Sequence, residues 1–197
     1  MKYIIAPLLF LLLHNTLIAQ RSNNNATIGM TISLPFFNNY RYYEYVSNSS
    51  VTQSGLMGLG FALFYKHNRI KYSLNGASTI LFNGNTFAKG DGSEDIAVKY
   101  LEGLVHYTFY KKMNVIGGVN LSNYHYEASS IMPDNSFFIN KNDLTIGFTT
   151  GIEYMFSKTF SLAAYYRPSL YSDGVKSYKR TLSLDARFDI KFLIHNF

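Results

Sequence analysis

From Tyr178 to Ile194 the chain alternates without a break. Leu182, Leu184, Ala186, Phe188, Ile190, Phe192 and Ile194 fall on even positions, and Thr181, Ser183, Asp185, Arg187, Asp189 and Lys191 on odd ones. A period of two gives a strand one apolar face and one charged face. The run is far longer than the roughly 5–6 residues usual in soluble domains. It meets the roughly 9–11 residues that a tilted strand needs to cross a bilayer. The same alternation recurs upstream and predicts further strands over 26–36, 56–66, 70–82, 96–109, 114–126, 142–156 and 160–171. In the first, Ile28, Met30, Ile32, Leu34 and Phe36 share a face opposite Thr27, Gly29, Thr31 and Ser33.

The connections alternate too. Long polar stretches at 37–55, 83–95 and 127–141 take turns with short ones at His67-Asn68-Arg69, Tyr110 to Met113 and Ser157-Lys158-Thr159, and a medium one at 172–177 precedes the last strand. Outer-membrane barrels have short periplasmic turns and long outer loops, and an even strand count lets the sheet close. The predicted fold class is therefore all-β: an eight-stranded antiparallel transmembrane β-barrel, both ends periplasmic. A soluble lipocalin-type barrel would be apolar inside and polar outside. Glu102, Glu153 and Arg167 instead stand singly among Gly, Ser, Thr and Ala on the face opposite the apolar one, which suits a narrow polar lumen. Tyr65, Phe109, Phe156, Phe160 and Phe192 fall near the periplasmic strand ends, and Phe36, Phe82 and Tyr166 near the outer ends, as two aromatic girdles would.

Composition sharpens this picture. There are 17 tyrosines and 16 phenylalanines but no cysteine, so no disulfide framework, thiolate metal site or lipoprotein anchor. The formal charge of +6 sits partly in short turns and reads as compatibility with anionic lipid rather than with nucleic acid. Lys2, the apolar run Ile4 to Leu13 and Leu17-Ile18-Ala19 make a secretory signal peptide. The domain expectation is a signal over 1–19 and a barrel over 20–197. No later apolar run is long enough for a membrane helix.

On these features the chain resembles the small eight-stranded outer-membrane barrels of the OmpA/OmpX type. Ala19-Gln20 and the terminal Phe197 resemble those of Bacteroidetes-type bacteria. The resemblance implies contact with outer-membrane lipids and lipopolysaccharide, and passage through the barrel-assembly machinery. That machinery reads a last strand ending in an aromatic, for which Phe192, Ile194 and Phe197 are the candidates, although Phe197 is out of phase with the other two. The resemblance implies neither a cofactor nor a cell-wall-binding domain.

Four sets of residues carry candidate chemistry. Glu102, Glu153, Arg167, Asp185, Arg187, Asp189 and Lys191 form a luminal charge set. Eight strands leave an interior just wide enough for side chains, so these charges are expected to pair and plug the barrel, with Glu102 reaching Arg187. A proton or ion path is the alternative. Asp91, Glu94 and Asp95 are a weak calcium candidate whose spacing is not that of an EF-hand and reads as a solvated turn. Asn123, His125 and Glu127 share a face without an adjoining serine, Ser129 and Ser130 fall in a loop, and His106 lies beside Glu102 without a nucleophile, so catalysis is not expected. Tyr40, Tyr42, Tyr43 and Tyr45 in the stretch Phe37 to Gly55 suit either a protein or glycan ligand, or packing over the barrel mouth. The expected role is structural or surface interaction, against the alternatives of a lipid A-modifying enzyme and a small-solute channel.

Overall fold

A computed structural model describes residues 26–45, 48–54, 58–80, 92–132, 135–172 and 179–192. The expected signal segment, Asp91, Ile194 and Phe197 lie outside the described residues. Nine strands are present: β1 (Ala26–Glu44), β2 (Ser49–Ser54), β3 (Gly58–His67), β4 (Ile70–Ile80), β5 (Gly92–Tyr110), β6 (Met113–Met132), β7 (Asn135–Met155), β8 (Phe160–Ser172) and β9 (Arg180–Phe192). Each pairs antiparallel with its neighbour in the order β2-β1-β3-β4-β5-β6-β7-β8-β9, and β1 also pairs with β9. All strands but β2 thus close into a ring of eight. Closure matters because a free strand edge inside hydrocarbon has no water to satisfy it.

The alternation read from the sequence orients every strand of the ring. Leu63 and Val119 are 63% and 65% exposed on the outer surface, with Leu59, Phe61, Leu101, Val105, Ile152, Leu184 and Ile190 on the same surface. Inward places carry buried polar groups such as Thr31, Ser73, Asn120, Thr149 and Ser183. Above Leu101, Leu121 and Leu144 the outward face turns polar at Lys99, Asn123, His125, Asn142 and Asn140, which marks the outer limit of the apolar belt. At the periplasmic side Phe156 stacks on Phe160 at 5.5 Å, and Phe160 meets Phe188 at 5.1 Å, forming part of the lower girdle.

The periplasmic turns are tight. Asn68 closes the β3–β4 turn with φ 52°, the left-handed region that asparagine tolerates. Ser157 Oγ accepts the N–H groups of Thr159 and Phe160 at 3.2 and 2.9 Å, which holds the β7–β8 turn.

The outer connections differ from expectation. The stretch 37–55 is not a loop for most of its length: β1 runs on to Glu44 and pairs with β2. A bulge between Pro35 and Phe37 flips the phase of β1, so Phe36 and Phe37 are both exposed while Asn38, Tyr40 and Tyr42 point inward. The stretch 127–141 is a continuation of β6 and β7, paired from Glu127↔Asn140 to Met132↔Asn135. Gly92 to Asp95 likewise belongs to β5, opposite Ser130 to Glu127. The carboxylate cluster is therefore in strand register from residue 92 onward rather than in a solvated turn. The physical reason is common to all three. Outside the bilayer both faces of a strand meet water or other polar groups, so the apolar alternation stops while the backbone ladder continues.

Curvature explains one glycine. A Cβ on Gly118 of β6 would run into the Gly103 carbonyl oxygen and lie 2.8 Å from Leu104, whereas at Gly117 it would meet nothing within 4 Å. Gly118→Val is therefore expected to lower stability by about 1–3 kcal/mol or to prevent refolding. Gly117→Val, facing lipid, should leave the denaturant midpoint near the wild-type value.

The polar lumen as candidate functional site

The inward rows of eight strands meet on the barrel axis, and the charged side chains on them assemble in three levels. At the outer level Lys179 Nζ donates to Asp143 Oδ2 at 2.6 Å, and the Tyr45 hydroxyl donates to Asp143 Oδ1 at 2.7 Å. Burial, and then the neighbouring Asp143 carboxylate, push the Tyr45 hydroxyl above the usual phenol range, which keeps it a donor. Tyr40, Tyr42, Tyr100, Tyr124 and Tyr126 pack together in the outer part of the lumen. The rings expected either to bind a ligand or to cover the mouth are thus divided, with Tyr40 and Tyr42 filling the upper lumen.

The middle level is a carboxylate–guanidinium fork. Arg167 Nε and Nη2 donate to Glu102 Oε1 and Oε2 at 2.7 and 3.2 Å, and Thr149 donates to Oε1 at 2.5 Å. Arg167 Nη1 donates to Ser183 Oγ at 2.6 Å, and its Cζ sits 4.4 Å from the ring centres of both Tyr100 and Tyr165. Asp185 lies 4.0 Å from the same guanidinium. Bidentate pairing and stacking on aromatic faces are what arginine does better than lysine.

The lower level centres on Glu153. It accepts from Asn114 at 2.8 Å and Ser161 at 2.7 Å, and its other close neighbours are His106 Nδ1 at 3.1 Å, Arg187 Nε at 3.6 Å and Lys71 Nζ at 3.9 Å. Arg187 also donates to the Tyr165 hydroxyl. Lys71 and Thr31 donate to the two oxygens of Asp189 at 3.1 and 2.6 Å.

The expected Glu102–Arg187 pair does not form; Glu102 binds Arg167, and Arg187 approaches Glu153. The stagger of the closed sheet is the cause. Paired residues traced from Glu102 one way round run Asn75, Ala62, Thr31 and Asp189. Traced the other way they run Asn120, Gly147, Ser169 and Lys179. The point level with Glu102 on the far wall lies midway between Lys179 and Asp189, near Leu184. Arg187 is therefore one inward place nearer the periplasm than Asp185, level with Glu153. Such stagger goes with the 35–45° strand tilt of barrels.

Lys191 stands exposed at the periplasmic rim, with no carboxylate partner among the described residues. Three members of the network, Lys71, Asp143 and Lys179, escaped the sequence reading, which sets His106 beside Glu102 without counting it in the charge set. Each is on the inward phase of its strand or just before it, so the alternation that exposes Tyr72, Tyr107, Leu144 and Leu182 also pointed to them. Contrary to expectation, His106 does have a hydroxyl neighbour. Ser73 Oγ lies 3.1 Å from Nε2, while Glu153 holds Nδ1. The carboxylate makes Nδ1 the donor and leaves Nε2 to accept. This is the hydrogen-bond order of an acyl-transfer relay, but Ser73 is buried and the adjoining cavity is bordered by His106 and not by Ser73. The arrangement fixes the imidazole within the lumen wall. His125, on the outer surface, lies 3.0 Å from Asn142 and 3.6 Å from Glu127. Among the described residues no cluster of His, Asp and Glu could hold a metal ion.

No family model and no curated sequence matches the chain. Solved structures do. Ail, the attachment invasion locus protein of Yersinia pestis, superposes with a TM-score of 0.61 at 13% identity, covering 84% of this chain and 99% of that one. Ail in complex with the heparin analogue sucrose octasulfate gives 0.55 at 15% identity, again covering 84% and 99%. Neisserial surface protein A gives 0.47 at 16% identity, covering 83% and 97%.

The protein is a small eight-stranded outer-membrane β-barrel.

The apolar outer surface and polar interior are the reverse of a soluble barrel, and they place this barrel in a bacterial outer membrane with its short turns in the periplasm.

Proposed function

We propose that the barrel is a closed, non-conducting membrane anchor whose projecting β6–β7 hairpin contacts a protein partner outside the cell. The observation that carries this reading is the length by which β7 outruns β8 among the described residues. The β7–β8 ladder has its outer end at Thr145↔Ser172, so residues 135–144 have β6 as their one strand neighbour among the described residues. Phe137 and Phe138 are exposed on that segment. An unpaired edge offers backbone donors and acceptors to an incoming strand, and adjacent aromatic side chains give it anchors. The same fold serves a protein named for attachment in Yersinia pestis. Closure of the lumen is supported by the near-complete burial of Glu102, His106, Glu153 and Arg187 across its section.

Two measurements test the reading. In a planar bilayer the purified barrel should give no steady conductance, and a stable pore would refute closure. Cells displaying the barrel should adhere to a surface of immobilised protein, and Phe137→Ala with Phe138→Ala should cut adhesion about tenfold, the scale of one interface anchor. Unchanged adhesion at equal surface expression would remove the hairpin from the interface. Mass spectra of lipid A should not change on expression; an altered acyl pattern would favour the enzymatic alternative.

A further inference from the structure

The periplasmic end of the lumen opens into a cavity of about 360 Å³. Among the described residues its wall carries Lys66, Lys71, Lys112, Lys158 and Lys191 against one carboxylate, Asp189. Lys71 already holds Asp189 at 3.1 Å. The other four ammonium groups have no carboxylate within ion-pair distance among the described residues; Lys112 donates to the Phe156 carbonyl at 3.3 Å. The remaining wall mixes apolar Phe64, Met155 and Phe156 with polar His106, Thr108, Asn114 and Ser157. Lys71, His106 and Asn114 line it on the lumen side, and each contacts Glu153 of the lower level.

Lys112, Lys158 and Lys191 stand exposed around the mouth and Lys66 is half-buried, so water and salt screen their mutual repulsion, but the positive potential they sum to at the mouth favours an anion among them. One monovalent carboxylate is too little for four ammonium groups. A phosphate or diphosphate concentrates more charge on a compact set of oxygens, and lysines act on such oxygens as point charges from several sides. Position adds to this. Phe156 lines the cavity and also belongs to the stacked run Phe156–Phe160–Phe188 of the lower girdle, and aromatic girdles sit at headgroup depth. The mouth therefore opens at the level of the inner-leaflet phosphates.

We propose that this lysine-walled vestibule is a binding site for a multiply charged phosphate group, supplied by an anionic lipid headgroup of the inner leaflet or by a free organic phosphate of the periplasm. The site does not depend on the surface role assigned to the outer hairpin, and its ligand needs no path through the lumen.

The test uses the whole folded barrel in neutral detergent, titrated calorimetrically with inorganic pyrophosphate. Saturable binding is expected, weakening as salt rises. Lys112→Gln combined with Lys158→Gln alters the β5–β6 and β7–β8 turns and should weaken binding about tenfold or more. Lys99→Gln, on the polar outer surface, should bind like the wild type. Far-UV circular dichroism of each variant establishes that it is folded. Absence of saturable binding, or equal affinity in the turn variant and the wild type, would overturn the proposal. A second arm separates the sources. In zwitterionic nanodiscs pyrophosphate should bind, and adding anionic phospholipid should abolish that binding if a headgroup is the natural ligand. Undiminished binding in the anionic disc assigns the site to a free phosphate.

Discussion

Glu153→Ala is expected to destabilise the barrel by about 3–5 kcal/mol, the cost of stranding buried charges by removing their partner. Glu153 is the shared acceptor of Asn114 and Ser161 and the anion facing His106, Arg187 and Lys71. Without it Arg187 and Lys71 would share the interior with Asp189 as the remaining carboxylate at that level, and a buried cation left unpaired costs far more than the pair contributes. Glu153→Gln keeps an acceptor for Asn114 and Ser161 but loses the charge, so it should fall between the wild type and alanine. The chain has no tryptophan, so unfolding in urea is followed by far-UV circular dichroism on protein refolded into lipid vesicles. A loss under about 1 kcal/mol for Glu153→Ala would mean that water enters the lower level and solvates the cations.

The second large effect concerns the fork above it. Glu102→Ala and Arg167→Ala should each cost about 3–5 kcal/mol, and the double variant should lose much less than their sum. Both residues are almost fully buried, and their two hydrogen bonds, at 2.7 and 3.2 Å, are directional. Arg167→Lys separates charge from shape. It keeps the cation but gives up the fork and the stacking on Tyr100 and Tyr165, both at 4.4 Å, so it should recover only part of the loss. The same cycle run on Glu102 and Arg187 should show a much weaker coupling, because the stagger puts them on different levels. Equal coupling in the two cycles would contradict the assignment of partners.

Much of this protein can be read along one strand at a time. The period of two in Leu182 to Phe192 fixes which side chains face lipid and which face the axis, and the same holds for Leu101 against Glu102, Ile152 against Glu153 and Tyr166 against Arg167. That information is local: neighbouring Cβ atoms must point to opposite faces, and a bilayer demands an apolar side of adequate length. The alternation of long and short connections then implies a closed, even-stranded ring. The inward charge set follows from the same parity, and Lys71, Asp143 and Lys179 would have joined it had every inward place been counted.

Which charge meets which was decided by closure. The sequence shows Glu102 and Arg187 near the middle of opposite strands, but height on a tilted strand depends on the stagger accumulated around the whole ring, and no single strand encodes that sum. The pairing Glu102–Arg167 is the outcome. The bulge at Pro35 and Phe37, which turns Tyr40 and Tyr42 inward, was invisible because the apolar pattern ends there. The long β6–β7 hairpin was hidden for the same reason: beyond the bilayer, backbone hydrogen bonds hold the strands and the side chains no longer need to alternate. The lysine-walled vestibule draws on five strand ends and turns far apart in the chain, so only the folded ring brings those charges around one space.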